Sequence, residues 1–186
     1  MKIPNILTIS RFLLVPVIAF LLYSKNPNHI LISILLFLVA VITDWADGFI
    51  AREKNQKSVF GTLFDPLIDK MLILTIFFIF VDLGLIPLWM VLLILFRELL
   101  VSGIRQICSS VKKVVGANWM GKSKFIMQTV LVLYIQIFLY FTYSDKSVLF
   151  FNKTLVYYSS LAVTIISLAF ALNFLFWYRG EILSKI

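Results

Sequence analysis

Asp44 and Asp47 stand three residues apart, and Asp65 and Asp69 four apart, in a chain of 186 residues that has only nine acidic ones. On an α-helix, positions three or four apart share one face, about one turn from each other. Each pair therefore presents two carboxylates side by side. A short break separates the pairs, which brings the end of one helix beside the start of the next and lets four carboxylates converge. Unpaired, they would repel one another and favour protonation; a hard divalent cation with oxygen ligands relieves both problems. One or two Mg²⁺ or Mn²⁺ ions are implied. The duller reading pairs these aspartates with Arg52, Lys54 and Lys70 in interfacial salt bridges. Four aspartates at matched helical spacing weigh against it, because ionisable groups inside membrane spans are costly and tend to be functional. Gly48 and Gly61, lacking a Cβ, permit close approach of a backbone or of a phosphate-bearing ligand, and they equally suit helix packing in a membrane.

The elements that must position these groups are membrane helices. Hydrophobic residues make up 61% of the chain and the mean hydropathy is +1.01, well above a soluble domain, where roughly half the residues are apolar. A spanning helix needs about 20 mostly apolar residues. Six such stretches are predicted, near residues 5–24, 29–51, 61–82, 87–111, 122–143 and 154–178, divided by short charged or turn-rich breaks. The expectation is an all-α integral membrane protein, a single domain over 1–186 with six transmembrane helices and both termini cytoplasmic. With that orientation every Lys and Arg except Lys25, Lys146 and Lys153 lies at or near the cytoplasmic side, as the positive-inside rule requires. The first span is read as retained rather than cleaved, since Arg11 interrupts it and no small-x-small site precedes the SKNPN break. Lone Cys108 excludes an internal disulfide, and His29 falls on the side away from the aspartates. The aromatic residues read as core filling or interface anchors. Val111-Lys112-Lys113 is too short a basic run for nucleic acid.

Read in full, the pattern is Asp44-x-x-Asp47-Gly48-x-x-Ala51-Arg52, eight residues, then Gly61-x-x-x-Asp65-x-x-x-Asp69. It resembles the signature of the CDP-alcohol phosphatidyltransferases, with all eight defined positions present. The resemblance implies that Asp44, Asp47 and Asp65 are ligands of a two-metal centre, that Asp69 is the general base and a further ligand, and that the protein is a homodimer. Other segments are similar to the bacterial branch that uses glycerol 3-phosphate: Pro4-Asn5-Ile6-Leu7-Thr8-x-x-Arg11 with Pro16, Ile86-Pro87-x-Trp89, Arg97-Glu98, Ser102-Gly103-x-Arg105, and Gly121-Lys122-Ser123-Lys124 with Gln128. Phe125 stands where that branch usually has Thr, so the hydroxyl is missing while both lysines remain. The implied reaction moves the phosphatidyl group of CDP-diacylglycerol to sn-glycerol 3-phosphate at the bacterial inner membrane, with the site facing the cytoplasm.

On this reading the CDP-lipid meets Asn5, Thr8, Asp47, Gly48, Arg52 and Gly61, mainly by resemblance. Asn5 and Thr8 also fit a helix cap, and Arg52 a topology-fixing charge. A dianionic acceptor phosphate needs cations other than the metals, and Arg97, Arg105, Lys122 and Lys124 are the available set. Glu98 is free to pair with one of these neighbours. Alternative acceptors are inositol phosphate, serine or phosphatidylglycerol. A cation or proton transporter is the reading from another class; carrier sites sit near the bilayer midplane, whereas these acids fall close to the cytoplasmic ends of their spans.

Overall fold

The structure is a computed structural model that describes the backbone of residues 3–54, 59–110, 119–144 and 152–183, and the side chains of residues 13–43, 70–104, 123–144 and 152–177. Within these residues the chain forms six helices: α1 (Ile3–Tyr23), α2 (Pro27–Lys54), α3 (Val59–Asp82), α4 (Leu88–Ser110), α5 (Trp119–Tyr143) and α6 (Lys153–Leu183). Every predicted stretch coincides with one helix. α6 runs furthest past its expected limit, to Leu183 rather than residue 178. Helices are the outcome such apolar runs permit, because a backbone surrounded by lipid must satisfy its hydrogen bonds within the segment.

The helix ends follow from local chemistry. Asn26 caps α2, its Oδ1 accepting the Asn28 N–H at 2.9 Å, with Pro27 in the first helical position. Asn152 caps α6 in the same way, accepting from Leu155 N–H at 2.8 Å. α3 stops at Gly84, whose φ of 67° suits a residue without Cβ. There Leu85 N–H donates to the Phe80 carbonyl and Gly84 N–H to that of Val81, both at 2.9 Å. This is the paired closure of a Schellman motif, and its flanking residues Leu85 and Phe80 are both buried.

Packing arranges the helices in a closed ring, in the order α1, α2, α5, α6, α4, α3, with α3 and α5 also touching across it. Tyr23 at the end of α1 lies close to Asp82 at the end of α3, so α1 and α3 run parallel and α2 runs opposite to both. Gly84–Pro87 and the first turns of α6 line a common cleft of about 560 Å³, which puts the starts of α4 and α6 at that same end. The other end therefore gathers the end of α2 with the start of α3, and the end of α4 with the start of α5.

Among the described residues α2 and α3, neighbours in sequence, share no extended packing; α1 and α5 each touch both of them. A short connection constrains only the helix ends, whereas the sides go to whichever partner packs best.

The interior is unusual in polarity. Phe37, Phe77 and Phe80 are fully buried, the last two ring edge to face at 6.5 Å, alongside buried Ser33, Arg97, Glu98, Gln128, Gln136, Ser160 and Thr164. The outside carries Phe20 at 73% exposure and Trp177 at 79%. Large apolar side chains facing outward around a partly polar core suit a lipid surround and not water. Within the described residues, Ser123–Tyr143 and Lys153–Trp177 are each long and apolar enough to cross a membrane.

Candidate active site

The aspartates are carried by the two helix segments that flank the break at residues 55–58. Asp44 and Asp47 belong to α2, and Asp65 and Asp69 to α3. Four intervening residues hold Lys54 and Val59 within about 18 Å of each other. Asp44 lies ten residues before the end of α2 and Asp69 ten after the start of α3, about 15 Å along each axis at the helical rise. Asp47 and Asp65 both lie about 10 Å along. Because the helices are antiparallel, the two pairs fall at matching depths. Their side chains lie outside the described residues, as do those of Asn5, Thr8, Gly48, Arg52, Gly61, Arg105 and Lys122. Carboxylates are oxygen donors, a class that suits a hard divalent cation rather than a soft one.

One residue beyond Asp69 in sequence, Lys70 joins a second set of charged groups. Glu98 of α4 is only 4% exposed and Arg97 6%. A buried carboxylate in an apolar surround is costly unless its oxygens are engaged by cations, and both of these are. Arg97 Nη1 donates to Glu98 Oε1 at 2.9 Å. Lys124 Nζ, reaching in from the first turns of α5, donates to the same oxygen. Lys70 Nζ from α3 lies 3.9 Å from the other oxygen, Oε2. Lys70 also donates to Ser102 Oγ, and Ser102 donates back to the Glu98 carbonyl at 2.6 Å. Three cations from α3, α4 and α5 thus surround one carboxylate.

Of the four cations expected to bind acceptor phosphate, the structure brings Arg97 and Lys124 together; Arg105 and Lys122 fall outside the described side chains. The sequence alone suggests Lys70 only as an interfacial charge or a salt-bridge partner of the aspartates, yet it joins this cluster. The signal that could have found it is its place directly after Asp69 within an apolar helix, where a lysine is expensive. Gln128 follows Lys124 by one turn on the same helix face; it is buried, and its Nε2 has no protein partner among the described residues. The 560 Å³ cleft lies at the opposite end of the bundle, lined by Lys153, Tyr157 and Tyr158 among others, away from both charged sets.

The chain is similar to known proteins along most of its length. The CDP-diacylglycerol–glycerol-3-phosphate 3-phosphatidyltransferase of Bacillus subtilis is 34% identical over 143 residues, which cover 70% of this chain and 74% of that one. The enzyme of the same name from Rickettsia typhi is 42% identical over 130 residues, covering 68% and 71%. A putative cardiolipin synthase from Mycobacterium tuberculosis H37Rv is 37% identical over 103 residues, 55% of this chain and 48% of that one. The sequence profile of the CDP-alcohol phosphatidyltransferases matches residues 1–177. With eight signature positions intact and a match along nearly its whole length, the chain belongs to the CDP-alcohol phosphatidyltransferase family.

Proposed function

We propose that this chain transfers the phosphatidyl group of CDP-diacylglycerol to sn-glycerol 3-phosphate, giving phosphatidylglycerophosphate and CMP. The observation that carries the acceptor assignment is the cluster of Lys70, Arg97 and Lys124 around Glu98, one residue along α3 from Asp69. A phosphate dianion calls for several convergent cations, and a reacting hydroxyl on the same small molecule must lie within reach of a base. The cluster would supply the cations and Asp69, one residue before Lys70 on α3, the base. The relatives named for this activity, similar over more than two thirds of the chain, support the same substrates.

Asp44, Asp47, Asp65 and Asp69 would hold the metal, one or two Mg²⁺ or Mn²⁺ ions. When bound, such ions neutralise the charge of the CDP pyrophosphate and of the departing CMP. The chain's own residues do the rest. Asn5, Thr8, Gly48, Arg52 and Gly61 seat the cytidine and its phosphates, with Asp47 contributing beside them. Arg97 and Lys124, with Arg105 and Lys122, hold the acceptor phosphate. Asp69 accepts the proton of the attacking hydroxyl as its oxygen bonds to the phosphorus that bears diacylglycerol, and the bond from that phosphorus to CMP breaks. The Gln128 amide, one turn from Lys124, offers an N–H to the glycerol backbone. In this reading all six helices span the bacterial inner membrane with both termini and the site on the cytoplasmic side, and the enzyme is a homodimer.

The relative named as a putative cardiolipin synthase makes phosphatidylglycerol the competing acceptor. Purified protein supplied with CDP-diacylglycerol and a panel of acceptors decides between them. CMP release is expected with glycerol 3-phosphate and Mg²⁺ or Mn²⁺, and none with chelator. Release with phosphatidylglycerol, serine or inositol phosphate but not with glycerol 3-phosphate overturns the assignment.

A further inference from the structure

We propose that Glu98 is a positioning residue: it fixes the acceptor-binding cations and ties them to the helix that carries the general base, without itself touching substrate. This rests on the function proposed above. Among the described residues, Glu98 is a point at which three helices meet through charge. Its Oε1 receives Arg97 from α4 and Lys124 from α5, and its Oε2 faces Lys70 from α3. Ser102 closes the arrangement, accepting from Lys70 and donating to the Glu98 carbonyl.

The carboxylate is buried with these cations and has the wrong sign to bind an anion. Its contribution is to the cations. A lysine side chain has four flexible bonds and, without a counter-ion, would be drawn toward water and away from Arg97, whose charge repels it. Engaged by a buried carboxylate, the ammonium group is held in place before the acceptor arrives. Binding then no longer bears the cost of ordering it. The Lys70 contact extends this restraint to α3 at the residue after Asp69. A restraint on α3 one residue from Asp69 bears on the spacing of phosphate site and base, on which in-line attack depends.

The consequence is a selective defect. Glu98→Gln keeps the shape and removes the charge. In the CMP-release assay it should raise the KM for glycerol 3-phosphate at least tenfold and leave the KM for CDP-diacylglycerol within threefold of wild type. Glu98→Asp, which keeps the charge with a shorter reach, should recover part of the loss. In Lys124→Met the main cation that Glu98 holds is already gone, so adding Glu98→Gln should cost less than it does in the wild type. Equal rises in both KM values, or fully additive effects in the double variant, overturn the proposal, as does a fall in thermal midpoint with both KM values unchanged. Should Glu98→Gln not accumulate as folded protein, Glu98→Asp bears the same KM comparison against wild type.

A second readout is independent of turnover. Inorganic phosphate should raise the thermal midpoint of the wild-type protein in detergent and raise that of Glu98→Gln by less than half as much. An equal rise in both counts against Glu98. Absence of CMP release by the wild type with glycerol 3-phosphate would instead defeat the proposed acceptor, and the phosphate shift would still decide the role of Glu98.

Discussion

Replacing Lys124 with Met removes a charge but keeps an unbranched apolar stem of similar length, so packing at the start of α5 is largely retained. Two effects follow, and the structure sets the size of each. For stability, breaking a buried ion pair outright costs about 3–5 kcal/mol. Here Glu98 keeps Arg97 at 2.9 Å and Lys70 at 3.9 Å, so the loss should fall to that of one charged hydrogen bond, about 2 kcal/mol. For the reaction, losing one charge-assisted contact to the acceptor phosphate should cost about 1.5–3 kcal/mol, which corresponds to a rise of about 10- to 150-fold in acceptor KM. The assay is CMP release at saturating CDP-diacylglycerol with glycerol 3-phosphate varied, then the reverse. Lys153→Met, at the opposite end of the bundle, serves as the control and should leave both KM values unchanged. A folded Lys124→Met protein with wild-type acceptor KM, or one whose CDP-diacylglycerol KM rises in parallel, would refute the assignment of this lysine to acceptor phosphate.

Asp69→Asn should abolish turnover while CDP-diacylglycerol still binds within several-fold of wild type, because the other three aspartates persist; equilibrium binding of the CDP-lipid beside a turnover assay tests this, and near-normal turnover removes Asp69 from the role of base. Gly84→Ala should lower stability by about 1–2 kcal/mol, the cost of a left-handed conformation in a residue with a Cβ. The added methyl meets nothing within 4 Å, so no clash contributes, and both KM values should be unaffected. An unchanged midpoint on thermal unfolding in detergent would show that the end of α3 does not need glycine.

By itself the sequence determined the elements and the chemistry. Six apolar runs dictate six helices, because a chain in lipid has few other ways to satisfy its backbone, and their limits are marked by Asn26, Gly84, Pro87 and Asn152. The aspartate pairs were legible for a similar reason: helical periodicity turns spacing into a shared face, and acids are scarce enough here for four to stand out. Only the tertiary structure decided which helices lie side by side. The ring order, with α1 and α5 each touching both α2 and α3, depends on side-chain packing between segments far apart in sequence, which no local pattern encodes. The grouping of Lys70, Arg97 and Lys124 on one carboxylate is a fact of the same kind. The sequence offers each of those residues as a charge without its partner, and Glu98 acquires its partners only when α3, α4 and α5 bring residues 70, 98 and 124 to one depth in a medium too apolar to leave a charge alone.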